Sequence, residues 1–224
     1  MITVHHLENS RSQRVLWLLE ELGLPYEIEH YKRDPRTMLA PEALRQVHPL
    51  GKSPVITDGD VTVAESGAII EYLVDRHGGG KLRPAVGSDE ALRYRYWMHF
   101  AEGSAMPPLL LKLVFDKVAS SPMPFFIKPI ARAISGKVLS GFVTPNLERQ
   151  LDFMESELRR STWFAGSEFS AADIQMSYPL EAAEQRAGLD ERRPKLMAYL
   201  KRIRARPAYQ RALKRGGTYS FADF

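Results

Sequence analysis

"SPVITDGDVTVAESGAIIEYL", residues 53–73, decides the fold. It reads as a strand, an Asp58-Gly59 turn, a second strand and then a helix that the glycines at 78–80 end. Upstream, Ile2 to His6 is short and β-branched, and Val15, Leu16, Leu18, Leu19 and Leu22 recur at helical spacing until Gly23 and Pro25 stop the run. "YEIEHYKR" alternates as a strand over Tyr26 to Tyr31, and "APEALRQVHP" is a short helix closed by Pro49. The order is β-α-β-α-β-β-α, an α/β sandwich with a parallel part and a terminal hairpin.

Downstream of Pro84 the strand signals vanish. Residues 88–118 predict a long amphipathic helix bent at Pro107-Pro108, and 120–134, "SSPMPFFIKPIARAI", is a Pro-rich apolar insertion. Residues 144–161, 169–188 and 192–215 complete an all-α half. The expected organisation is an α/β domain over 1–82, a linker over 83–88 within "KLRPAVGSD", and an all-helical domain over 89–224.

Composition narrows the function classes. The chain has 224 residues, is 44% hydrophobic and 26% charged, and carries a formal charge of +4, ordinary values for a soluble globular protein. Its basic excess lies largely in the helical tail 191–215, with no DNA- or RNA-reading motif, so no nucleic-acid partner is expected. The absence of cysteine removes disulfides, thiolate metal sites and a protein-borne thiol nucleophile, and fits a reducing compartment. No signal peptide or bilayer-spanning apolar run is visible, so a cytoplasmic chain with no membrane partner is expected. His5, His6 and His48 lack metal-ligand spacing, and no metal is expected.

Four local motifs sharpen this outline. They are "NSRSQRVLWLLEEL" (9–22), "HPLGKSPVITD" (48–58), "AESGAIIEYL" (64–73) and "FSAADIQM" (169–176). In this order and spacing the chain resembles a cytosolic glutathione transferase across nearly its whole length, and "EGS…PPL" at 102–109 is most similar to a bacterial and fungal branch. The resemblance implies a thioredoxin-like N-terminal domain, an all-α C-terminal domain, glutathione as co-substrate and a homodimer.

It also implies site residues. A cis Ser53-Pro54 bond would let Val55 meet the cysteinyl backbone of glutathione, and Lys52 would neutralise the glycyl carboxylate. Ser66, opening a helix whose dipole attracts anions, would take the γ-glutamyl carboxylate, and Glu65 the ammonium. An ordinary N-cap at Glu65 or Ser66 is the competing reading of those two. A free thiol has a pKa of about 8.5, so the site needs a group that favours thiolate. With no Tyr or Cys between His6 and Trp17, that group is sought in Asn9, Ser10, Arg11 and Ser12. Ser10 leads, four residues before Arg14 as in several Ser-type classes of the family. Asn9 offers an amide N–H, Ser12 competes as a helix cap, and Arg11 can lower the thiol pKa through space or point to solvent.

Ser170 and Asp173 stand at capping-box spacing with Phe169 as a staple, a structural motif. Trp97, Phe100, Met106 and Leu110 are the candidates for a pocket holding a small hydrophobic electrophile, although an aromatic stripe at helical spacing also describes a core. The function expected is transfer of glutathione to such an electrophile. Glutathione-dependent disulfide or peroxide reduction and a non-catalytic binding or assembly module are the alternatives.

Overall fold

The computed structural model describes residues 1–222. Strands β1 (Ile2–Leu7), β2 (Tyr26–Tyr31), β3 (Val55–Asp58) and β4 (Val61–Ala64) form one sheet in the order β2-β1-β3-β4. β1 and β2 are parallel, with Ile2 opposite Tyr26, so the chain must cross over between them; helix α1 (Ser12–Leu22) makes that crossing. Gly23, at φ +68°, turns the chain out of α1 in the left-handed conformation that a glycine adopts without strain. β3 runs antiparallel to β1, with Val4 opposite Ile56, and β4 closes the hairpin. Its turn is Gly59-Asp60, one residue later than expected: Asp58 still pairs with Val61, and Gly59 takes the positive φ that the first turn position demands. Helix α2 (Ala43–Val47) is a single turn, and α3 (Ser66–His77) packs with α1, burying Ile69, Ile70 and Leu73 beside Val15, Leu16 and Leu19.

The second half is helical throughout: α4 (Asp89–Phe100), α5 (Met106–Ser120), α6 (Lys128–Val138), α7 (Thr144–Arg160), α8 (Ala171–Arg186), α9 (Pro194–Arg204) and α10 (Pro207–Gly216). The break in the first long helix falls before Pro107-Pro108, as a π-helical turn over 101–105. Proline has no N–H to give, so Pro108 leaves the Ser104 carbonyl without its helical partner; the Gln150 amide donates to it instead, at 3.0 Å. The insertion 120–134 is a turn followed by α6, and a second π-helical turn, 139–143, carries α6 into α7.

Helix α8 is buried from Ala171 to Ala183 and forms the axis of this half. Its capping box is present: the fully buried Asp173 carboxylate accepts from the N–H of Ser170 and of Phe164 at 2.9 and 3.0 Å. Phe169 packs on Trp17 and Trp163, so it helps to join the two halves. One continuous core runs through both, with α1 seated on α8 and α10. Among the described residues no helix is long and apolar enough to cross a membrane.

Candidate functional site

A cavity of about 320 Å³ opens where the loop before β3, the start of α3, the start of α1 and the α4–α5 π-turn converge. Lys52, Ser53, Pro54, Glu65 and Ser66 stand on one side of it, and Arg11, Glu102 and Leu110 on another. The Ser53–Pro54 peptide is cis. The Ser53 hydroxyl donates to the His5 carbonyl at 2.9 Å and accepts from Leu7 N–H at 3.2 Å, which fastens this loop to β1. Val55 is buried, paired in register with His5 and Ala64, and is not a wall of the cavity.

The α3 end of the cavity is a helix N-terminus, whose first N–H groups have no helical acceptor. Glu65 is its N-cap residue, yet its carboxylate makes no capping hydrogen bond. Its backbone sits at φ +71° and ψ +126°, a conformation that a residue with a side chain rarely adopts and that costs on the order of 1–3 kcal/mol. An ordinary cap needs neither the strain nor a free carboxylate. The Ser66 hydroxyl and the Lys52 ammonium likewise have no protein partner among the described residues.

At the α1 end, the four polar residues 9–12 divide. Ser10 is 5% exposed and its hydroxyl lies 2.7 Å from that of Ser12. Ser12 in turn lies 2.8 Å from His6 Nδ1, and His6 Nε2 is 3.0 Å from the Gly216 carbonyl. A carbonyl only accepts, so Nε2 carries the ring proton. Burial, helped by His30, pushes the His6 pKa down to about 4, so the ring is neutral and Nδ1 is an acceptor. Ser12 therefore donates to His6, and Ser10 donates to Ser12. The one proton of the Ser10 hydroxyl is committed inward, and its oxygen accepts from Ser12 N–H, the first N–H of α1, at 3.2 Å; Arg11, not Ser12, is the N-cap residue. Asn9, at φ +51°, accepts at Oδ1 from the N–H and hydroxyl of Ser220, both at 2.7 Å, and so faces the C-terminal segment. Neither Asn9, Ser10 nor Ser12 is a wall of the cavity; Arg11 is.

Arg11 Nε donates to both oxygens of Glu102 at 3.1 Å, leaving Nη1 and Nη2 with no acceptor among the described residues. Glu102 also accepts from Nη2 of Arg14 at 2.6 Å, and buried Arg14 donates from Nη1 to the Gln175 carbonyl. Burial alone would raise the Glu102 pKa, but Arg14 and Arg11 outweigh it and hold the carboxyl below its ordinary value. Both guanidiniums lie over the Tyr178 ring, at 4.9 and 5.2 Å. Glu102 thus fixes the inner edge of Arg11, and the outer edge faces the cavity. The sequence motifs do not mark Glu102 as a site residue. It sits in the π-turn before Pro107-Pro108, and that proline pair was the available signal for a distorted, functional stretch of helix.

The four electrophile candidates scatter. Leu110 is a wall of the cavity and 56% exposed. Trp97 is 1% exposed, packed between Phe153 and Phe164 in the core. Phe100 lines a separate apolar depression of about 490 Å³ on α4, with Leu92 and Tyr96. Met106 is half-buried against the core. His48 and Leu50, not assigned from the sequence, are further walls of the cavity. Among the described residues no group of three or more His, Asp and Glu is placed to hold a metal ion.

Known proteins share this fold. The family described as "Glutathione S-transferase, N-terminal domain" matches residues 10–76, and "Glutathione S-transferase, C-terminal domain" matches residues 142–207. Glutathione S-transferase 3 of Schizosaccharomyces pombe is 40% identical, over 83% of this chain and 75% of its own length. Glutathione S-transferase 1 of Saccharomyces cerevisiae is 35% identical over 93% of this chain and 92% of its own. A crystal structure of a glutathione S-transferase from Actinobacillus pleuropneumoniae superposes with a TM-score of 0.84 at 33% identity, covering 100% of this chain and 97% of that one.

Proposed function

This chain belongs to the glutathione S-transferase family and is a glutathione-using transferase, and we propose that its active site is the cavity between Lys52, Ser66 and Arg11. In this reading the γ-glutamyl carboxylate meets the Ser66 hydroxyl and the free N–H groups that open α3, and the ammonium meets Glu65. Lys52 neutralises the glycyl carboxylate, and the peptide's backbone runs along Ser53 and Pro54. The observation that carries the reading is that Lys52, Glu65 and Ser66, three polar side chains with no partner among the described residues, share one cavity with an arginine whose outer edge has no acceptor among them.

Arg11 takes the role for which Ser10 led. Its Nη1 and Nη2 can donate to sulfur, and its positive charge favours the thiolate, whereas the Ser10 proton is already given to Ser12. Bound thiol then loses its proton to water, and the thiolate attacks an electrophilic carbon that the cavity holds beside it. Atoms balance simply: a carbon–sulfur bond forms and the electrophile's leaving group or π-electron pair departs from the attacked carbon. Leu50 and Leu110 offer that electrophile an apolar edge. Residues 1–82 act as the glutathione-binding domain, 83–88 as linker and 89–224 as the domain that supplies the electrophile's walls, in a cytoplasmic homodimer. The exposed depression with Leu92, Tyr96 and Phe100 on α4 supports the dimer.

Calorimetric titration with reduced glutathione tests this. Binding by the wild type that is lost in Lys52→Ala and in Ser66→Ala is the expected result. No heat from the wild type at millimolar glutathione, or undiminished binding by both variants, would overturn the assignment of the cavity.

A further inference from the structure

The hairpin of α5 and α6 carries an apolar surface of which the site uses only Leu110. Along α5, Leu110, Val114 and Val118 recur at four-residue spacing and all are exposed. Past the turn the pattern continues with Phe125, 83% exposed, Phe126, 64% exposed, Ile127 at the N-cap of α6, and Ile130 and Ile134 along α6. The two phenylalanine rings meet edge to face at 5.6 Å, so they form one apolar tip. An amphipathic helix ordinarily turns such a stripe to the core. Here α5 buries only Pro108 and Leu109 at its base, and α6 buries only Ser135.

From Lys117 onward the charge beside the stripe has one sign. From residue 117 to residue 147 the chain carries Lys117, Lys128, Arg132 and Lys137 and no Asp or Glu. None of the four has an ion-pair partner among the described residues. Asp116, the carboxylate nearest in sequence, is paired with Lys112 at 2.8 Å. A second copy of the chain seated symmetrically here would set these cations against themselves.

We propose that this hairpin seats on the surface of an anionic phospholipid bilayer. The Phe125–Phe126 tip enters the headgroup region, and Lys128, Arg132 and Lys137 meet the lipid phosphates and carboxylates, the combination of buried apolar side chains and Coulomb attraction by which proteins lie on a membrane. The absence of a spanning run removes only a transmembrane segment; a surface seat needs none. Leu110, at the base of the stripe, is also a wall of the cavity, and about 12 Å of helix separates it from Val118. If the cavity is the glutathione site, apolar electrophiles dissolved in the lipid would reach it along this stripe; the seat itself does not depend on that reading.

Flotation of the full chain with extruded vesicles is the test, with phosphatidylcholine alone compared with a phosphatidylcholine–phosphatidylserine mixture. The wild type should float with the mixture, weakly or not at all with phosphatidylcholine, and progressively less as salt shortens the Debye length. Each cation near such a surface is worth about fivefold in partitioning, so Lys128→Ala with Arg132→Ala should weaken it by roughly thirtyfold. Phe125→Ser with Phe126→Ser should abolish flotation. Both double variants should keep the wild-type melting temperature and vesicle-free turnover, because the altered side chains are exposed. Absence of wild-type flotation with the mixture, equal flotation with phosphatidylcholine alone, or undiminished flotation of both variants would overturn the proposal. So would a wild type that does not float but loses half its solution mass in the phenylalanine variant, which would assign the face to a second copy.

Discussion

Replacing Arg11 by Met keeps most of the side-chain volume and removes a guanidinium edge that reaches the cavity with no acceptor among the described residues. A unit charge about 4 Å from sulfur is worth ~4 kcal/mol at an effective dielectric constant of about 20. The Glu102 carboxylate, 3.1 Å from Arg11 Nε, opposes that field, and 34% of the Arg11 side chain is open to water. Discounting for both leaves about 1–2 kcal/mol, which raises the pKa of bound glutathione thiol by about one unit. The assay is thiolate absorbance of the binary complex, titrated with pH in wild type, Arg11→Met and Ser10→Ala. Arg11→Met should shift the curve up by about one unit and lower kcat/KM by about tenfold below the new pKa, with glutathione affinity nearly kept. Ser10→Ala should leave the thiol pKa in place. An unmoved thiol pKa in Arg11→Met, together with a raised one in Ser10→Ala, would remove Arg11 from the sulfur and return it to the serine.

Glu65→Gln should weaken glutathione binding by about 2 kcal/mol, roughly thirtyfold by calorimetry, without moving the thiol pKa, because it removes a charge-assisted contact at the far end of the ligand. Ser12→Ala leaves the buried His6 Nδ1 and the Ser10 hydroxyl short of a partner and should cost about 1–3 kcal/mol in urea denaturation. Glu181 is fully buried, and burial raises its pKa to about 7 against the hydroxyls of Tyr209 and Tyr219, each 2.6 Å away. A raised folded-state pKa gives stability that is complete below the unfolded value of 4.5 and lost as pH climbs through about 7. Glu181→Gln should therefore be comparatively more stable than wild type at pH 8 than at pH 5, by on the order of 3 kcal/mol, read as the difference between two melting series.

Legibility in the sequence followed the range of the forces involved. Hydrophobic periodicity and local turn chemistry act over a few residues, and they placed α1 at Ser12, β2 at Tyr26–Tyr31 and the β3–β4 hairpin, missing the turn by one residue. The proline pair at 107–108 announced a helix defect, but its position before the prolines depends on Gln150, a partner from α7. At the site, motif and structure bring Lys52, Pro54, Glu65 and Ser66 onto one cavity. What the sequence left open was the direction of each polar group in front of α1. Ser10 and Ser12 look like solvent-facing donors in a string of letters; a histidine on β1, held in one tautomer by the Gly216 carbonyl, turns both inward. Arg11 looks like a surface charge until Glu102, 91 residues away, grips its Nε. Trp97 and Phe100 share one helix and a similar chemistry, and only packing sends one to the core and the other to the α4 depression.

The most direct measurement is a crystal structure of the protein with reduced glutathione bound. The γ-glutamyl carboxylate is expected at Ser66 and the start of α3, the ammonium at Glu65, and the sulfur within hydrogen-bond distance of Arg11 Nη1 or Nη2, with the Ser10–Ser12–His6 chain intact. A sulfur in contact with the Ser10 hydroxyl or the Asn9 amide, or a glutathione lodged outside the cavity of Lys52 and Ser66, would contradict it.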